Sequence, residues 1–180
     1  MKNLTYILTA LILVFTGCSK DNETPRSGIA TIDNTTFQST TYYIFGFSFP
    51  RASKISTLEA VGPDITVYVN PVNATSLYLM ANNRLPSFLK VGEYGSETEA
   101  VNAFKNLKEV PQSVNWIDIA EPVKPYQVWV YRSNEDEYTK IRIISTKAEQ
   151  RMSTLLNRFV DYGECTFEWV HQPDGSIKFP

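Results

Sequence analysis

The sequence predicts a single, mainly antiparallel β domain with about two α-helices. Three observations carry this expectation. Short runs alternate apolar and polar residues, turn-forming clusters separate those runs, and two capped stretches change the apolar spacing from two residues to three and four. The first alternating run, Tyr42 to Phe49, sets Tyr43, Phe45, Phe47 and Phe49 on one face and is stopped by Pro50. Asp64 to Val69 sets Ile65, Val67 and Val69 against Thr66 and Tyr68. Ser76 to Ala81 and Phe88 to Gly92 are shorter runs, with Asn82-Asn83 and Pro86 between them. Tyr126 to Tyr131 and Tyr138 to Ile144 flank the polar stretch Arg132 to Glu137, the pattern of an antiparallel hairpin. Glu164 to Gln172 alternates again, and Pro173-Asp174-Gly175-Ser176 is a strong turn before Ile177-Lys178-Phe179.

The two helical expectations rest on caps. Ser96-Glu97-Thr98-Glu99 is a capping box, followed by Ala100, Val101, Phe104 and Leu107 at helical spacing, so Ser96 to Lys108 reads as a helix. Thr146-Lys147-Ala148-Glu149 repeats the cap. Met152, Leu155, Leu156, Phe159 and Val160 then follow at three-four spacing, and Gly163 stands where a helix would end. A second helix over Ala148 to Tyr162 is therefore expected.

The amino terminus carries a different message. Lys2 is followed by an almost unbroken apolar run from Leu4 to Phe15, and Phe15-Thr16-Gly17-Cys18 closes it with small residues before a cysteine. The run is too short for a stable membrane span and sits where a cleaved leader sits. Its Gly-Cys ending resembles a lipobox, so residues 1–17 are expected to be a lipoprotein signal peptide and Cys18 the lipid anchor. Several acyl chains hold a protein on a membrane where a single chain does not. Residues 18–28 are polar, carry Pro25 and Gly28, and read as a flexible tether. Ser19-Lys20-Asp21-Asn22-Glu23 looks like the acid-containing tract that sends lipoproteins of Bacteroidetes-type bacteria to the outer surface. The expected location is the outer membrane, facing outward. Residues 29–180, about 150 in number, suffice for one domain with its own core.

Composition narrows the function classes. Seventeen basic and nineteen acidic residues nearly cancel, and no basic block exists, so a nucleic-acid partner is not expected. With Cys18 committed to lipid, Cys165 lacks a disulfide partner and reads as a small buried hydrophobe in an alternating strand. His171 is the sole histidine, and the chain holds no Gly-rich phosphate loop, paired-cysteine metal site or His-Glu-x-x-His motif. Glu135, Asp136 and Glu137 read as a solvated hairpin tip. An enzyme is not expected.

The carboxy-terminal half carries a recognisable series. Phe88-Leu89-Lys90-Val91-Gly92-Glu93-Tyr94 leads into the capped helix. Trp116, Ile119, Ala120, Pro122 and Val123 come next, then Gln127-Val128-Trp129-Val130-Tyr131-Arg132 and Tyr138-Thr139-Lys140-Ile141-Arg142-Ile143. The series ends in Phe167-Glu168-Trp169-Val170-His171-Gln172-Pro173-Asp174-Gly175-Ser176. With the aromatic strand Tyr43 to Phe49, Ile55 and Asp64-Ile65, this order resembles the HmuY family of haem-binding lipoproteins over most of residues 40–180. The resemblance implies an antiparallel HmuY-like β fold. It also implies a non-catalytic surface lipoprotein that takes haem or a related tetrapyrrole from host haem proteins and passes it to an outer-membrane haem receptor.

Family members place two histidines or two methionines on iron. Past the leader this chain offers only Met80, Met152 and His171. Met152 and His171 are the candidate haem-iron ligands, set against plainer readings: Met152 as core of the second helix, Met80 as buried strand, His171 as a hydrogen-bonded strand residue. Lys140 and Arg142 could meet propionates, though a solvated strand face is the better reading. The rival expectation is a structural or protein/glycan-interaction surface lipoprotein on the same scaffold that does not bind haem.

Overall fold

The computed structural model describes Thr24, residues 26–112 and residues 115–180. The expected signal peptide, the anchor Cys18 and most of the tether lie outside these residues.

Alternation builds two five-stranded antiparallel sheets. The first runs in the order β1 (Ser27–Asp33), β12 (Arg158–Gln172), β11 (Tyr138–Ser153), β10 (Gln127–Arg132), β8 (Phe88–Glu93). The second runs β5 (Ser53–Ser56), β4 (Phe45–Ser48), β6 (Ile65–Val69), β7 (Leu77–Ala81), β9 (Ile119–Val123). A short ribbon of β2 (Phe37–Gln38) and β3 (Tyr42–Tyr43) links β1 to β4. The sheets bury one face of each against the other. Ile32, Trp129, Ile141, Ile143, Phe167 and Trp169 from the first meet Phe47, Ile65, Val67, Leu77 and Leu79 from the second. Aromatic rings interlock across the gap, with Phe47 5.6 Å from Phe167 and 5.4 Å from Trp169, and Phe49 5.8 Å from Trp169.

The first sheet is covered on its outer side as well. Helix α1 (Glu97–Asn106) starts at Ser96, whose hydroxyl accepts from the Glu99 N–H as the capping box predicts. Two cations of β11 hold it down. Lys140 Nζ donates to the carbonyls of Phe104 and Leu107, both at 3.0 Å, where the helix dipole favours positive charge. Arg142 lies 3.8 Å from Glu97 in the first turn and donates to Glu168 at 2.8 Å. Both side chains are buried, so the solvated-face reading of Lys140 and Arg142 is corrected. They lie under a helix and pair with its ends. Burial, and then the neighbouring Lys108, lowers the Lys140 pKa.

The expected second helix is also corrected: the segment is a long hairpin, and α1 is the one α-helix among the described residues. β11 and β12 continue pairing from Tyr138↔Gln172 to Ser153↔Arg158, with one irregularity between Ile143 and Ser145. The spacing misled for a geometrical reason. Residues seven apart share one face of a helix two turns apart, but Met152 and Phe159, seven apart, are also partners across a hairpin centred between 155 and 156. A helix here would need a surface for its apolar stripe. In the hairpin Met152 and Phe159 remain 52% and 69% exposed, while the ladder satisfies the backbone. Gly163 is not a helix cap. It is a strand residue beside the Val69 and Leu77 side chains of the facing sheet.

Smaller differences follow the same logic. β1 begins at Ser27, inside the expected tether, and of its inward residues Gly28 and Ala30 are too small to announce a strand before Ile32. The Tyr42–Phe49 run is split at Ile44 into β3 and β4.

Two glycines make the sheet packing testable. A Cβ on Gly46 would stand 2.3 Å from the Ile65 carbonyl oxygen, whereas one on Gly163 would meet the movable end of Leu77 at 2.7 Å. Gly46→Ala should therefore lower the urea unfolding free energy by about 3 kcal/mol and Gly163→Ala by about 1 kcal/mol. Equal losses would contradict this account.

Candidate functional site

Two regions collect the residues that could carry chemistry, and they lie at opposite ends of the same hairpin. At the distal end, Met152 lines a cleft of about 300 Å³ with Leu155, Leu156, Val160 and Tyr162. Its opposite wall is Asn34, Thr35 and Thr36 from the loop after β1. Asn34 fixes that wall: its Nδ2 donates to the Asp161 carbonyl at 3.0 Å, and its Oδ1 accepts from the Gly163 N–H at 2.8 Å. Arg151 lays its guanidinium over the Tyr162 ring, 3.3 Å from the centroid, and pairs with Glu149. With Leu155 and Phe159 also exposed and Arg158 beside them, the tip presents apolar side chains between two cations.

At the proximal end His171 is 4% exposed. Its ring stacks on Phe49 with centroids 6.2 Å apart, and Nδ1 shares a 2.9 Å hydrogen bond with the Thr139 hydroxyl. Nε2 has no hydrogen-bond partner and stands 3.6 Å from Glu137 Oε2. Burial, and then Arg26, pushes the imidazole down to about 4, so it is neutral at physiological pH. Burial raises Glu137, with Glu135 and Asp64 adding to it. Burial also raises Asp64, against hydrogen bonds from the Phe49 N–H, Asn83 and Tyr131. A cavity of about 180 Å³ opens beside Asp64, Asn83, Glu135 and Glu137. Glu137 is thus half-buried under the hairpin rather than part of a wholly solvated tip.

The structure does not bring Met152 and His171 together. Met152 faces Phe159 across the ladder, and His171 lies twelve positions beyond Phe159 along β12, roughly 40 Å of strand. Met152 belongs to no core. Met80 is half-buried and points away from the sheet interface, opposite Thr66. Cys165 is fully buried and its thiol is pushed up to about 12, first by burial and then by Glu164, which keeps it protonated. Cys18 lies outside the described residues. Among the described residues no group of three or more His, Cys, Asp or Glu side chains is placed to hold a metal ion. A two-ligand slot for haem is therefore not assembled from the candidate pair. The tip cleft offers one sulfur-bearing residue, Met152, on an open lining of mixed polar and apolar side chains.

Sequence reasoning missed Asn34 and the acid-imidazole cluster. Asn34 looks like an ordinary loop residue, and the contacts of Asp64, Glu137 and His171 join strands far apart in the chain.

His171 gives the fold a defined pH dependence. Above about pH 6.5 both folded and unfolded chains hold it neutral. As the pH falls toward 4, the unfolded chain takes up the proton first and stability is lost. Asp64 and Glu137 act in the opposite sense, since their raised folded pKa values mean that acid relieves them. The urea midpoint of His171→Gln should therefore fall less than that of the parent between pH 6.5 and pH 4. Parallel curves would show that the imidazole does not titrate in this way.

Comparison of the chain with protein-family models, with curated proteins and with solved structures returns no match.

Proposed function

We propose that the protein is a lipid-anchored, non-catalytic binding protein of the bacterial outer membrane, tethered through Cys18. Its ligand is haem or a related tetrapyrrole, held at the tip of the β11–β12 hairpin and passed on to an outer-membrane receptor. The observation that carries this reading is the tip cleft. Met152, 52% exposed and paired with Phe159 across the ladder, is one of the residues lining it, together with Arg151, Leu155, Leu156 and Val160. Thioether sulfur is a recognised axial ligand of haem iron, and apolar side chains suit the macrocycle face. A cleft of about 300 Å³ is at the small end for such ligands, so the ring would lie across its mouth with one edge in solvent. His171, with its ring between Phe49, Thr139 and Glu137, plays no part.

One observation favours the rival reading, a surface lipoprotein that contacts proteins or glycans without haem. Met152 has no second thioether and no imidazole beside it on the cleft walls: the other lining residues are Asn, Thr, Arg, Ser, Leu, Val, Asp and Tyr.

Haemin titration separates the two. A sharpened, saturable Soret band is expected with the parent protein, and Met152→Ala should abolish it while leaving the fold intact. A featureless, unsaturable absorbance change in the parent would remove the haem reading. The anchor has its own test. Mass spectrometry of the membrane-extracted protein should show an acylated amino-terminal Cys18, and Cys18→Ser should release the chain from the membrane fraction. An intact Met1 on a freely diffusing product would overturn it.

A further inference from the structure

The outer face of the second sheet carries a feature unconnected with the hairpin tip. β6 and β7 pair with Tyr68 opposite Tyr78. The alternation that sends Val67, Val69, Leu77 and Leu79 into the core sends these two tyrosines the other way. Their rings stack at 5.5 Å with 23° between planes, and both remain partly exposed. The pair is a broad, stiff aromatic surface on a regular sheet rather than on a loop.

At the end of β6 and β7 this face borders a polar cleft of about 450 Å³, to which Thr146 of the first sheet also contributes. Asn70 follows Tyr68 by two residues and Ser76 precedes Tyr78 by two, so both lie on the tyrosine side of the sheet. β9 contributes Glu121, whose carboxylate helps raise the Tyr78 pKa after burial and Tyr68. Apart from Pro122 and Val123, every side chain lining this cleft bears a hydrogen-bonding group. The lining is also held in place. Asn70 Oδ1 accepts from the N–H groups of Val72 and Asn73 at 2.7 and 3.0 Å, and its Nδ2 donates to Glu121. Asn73 Oδ1 accepts from the Thr75 hydroxyl at 2.7 Å.

A ligand for such a surface needs one apolar face to lie on an aromatic ring and a rim of hydroxyls to meet amides, hydroxyls and a carboxylate. A pyranose has that division, with C–H bonds on its face and hydroxyls around its edge. A lipid or apolar peptide would leave the polar lining without partners. A nucleotide phosphate would find one cation, Lys124, beside the carboxylate of Glu121. We propose that the Tyr68–Tyr78 pair and the adjoining cleft form a saccharide-binding site for a neutral oligosaccharide, one ring resting on tyrosine and the next reaching into the cleft. The site is separate from the tip and stands whether or not haem binds there.

The test uses the full chain purified in detergent and four neutral probes: cellotetraose, maltotetraose, xylotetraose and chitotetraose. Saturation-transfer NMR should show at least one of them binding saturably at millimolar concentration. Tyr78→Leu, which keeps an apolar strand residue, should weaken that binding about tenfold, the loss of one stacked ring face. Asn73→Ala, on an exposed turn and without effect on the strands, should weaken it several-fold, so the cleft is probed even if the tyrosine variant folds poorly. Met152→Ala should leave it unchanged. Failure of all four probes, binding by folded Tyr78→Leu and by Asn73→Ala equal to the parent, or loss of binding in Met152→Ala would each overturn the proposal.

Discussion

The register of β12 is the constraint on which the rest of the molecule depends. One fifteen-residue strand pairs with β1 on one side and β11 on the other. Along it, Cys165, Phe167 and Trp169 face the second sheet, and His171 continues that face into the polar cluster. A slip of one residue would turn Phe167 and Trp169 outward and bring Glu168 and Thr166 into the core. Each inward aromatic is locked by rings from β4 and the residue after it, so the cost of slipping falls on both sheets at once. The same register fixes what lies beyond the core. Once Ile141↔Trp169 and Ile143↔Phe167 are set, the ladder runs on to the tip and determines that Met152 emerges beside Phe159.

The outer side of that sheet is governed by charge as much as by apolar burial. Lys140 and Arg142 occupy alternate positions of β11 and serve the two ends of α1, one through carbonyls and one through Glu97. A short helix needs tertiary contacts to persist, and here the contacts include cations that compensate its unpaired carboxy-terminal carbonyls. The cost is a partly desolvated ammonium. Its attraction to two carbonyls and to the rings of Phe104 and Phe179 offsets that cost.

The same sandwich separates three chemical environments. The His171 cluster is largely buried, with a neutral imidazole and with Asp64 and Glu137 raised in pKa by burial. The hairpin tip is open to solvent and mixes Met152, Leu155, Leu156 and Val160 with hydroxyl, amide and charged side chains. The Tyr68–Tyr78 face is aromatic beside a polar cleft.

How much of this was legible in the sequence varied with the range of the interactions involved. The alternation of Ile65 to Val69, Leu77 to Ala81 and Glu164 to Gln172 gave the mainly antiparallel β class and much of the core, because strand period and burial are written in neighbouring residues. The capping box at Ser96 placed α1 for the same reason. The tether ended two residues early because Ser27 and Gly28 are held in β1 by pairing with Val170 and Trp169 of β12, which no local residue announces. Met152 to Val160 read as a helix because a seven-residue separation is short-range in a helix and also across a hairpin, and only pairing already begun in the core distinguishes the two. Lys140 and Arg142 read as solvated for lack of any local sign that a helix forty residues earlier would cover them. The sequence by itself determined the strand period, the caps and the inventory of ligating side chains. The tertiary structure alone decided which of those side chains meet, because Met152 and His171, like Asp64 and Glu137, are brought together or kept apart by strand register rather than by anything in their immediate neighbours.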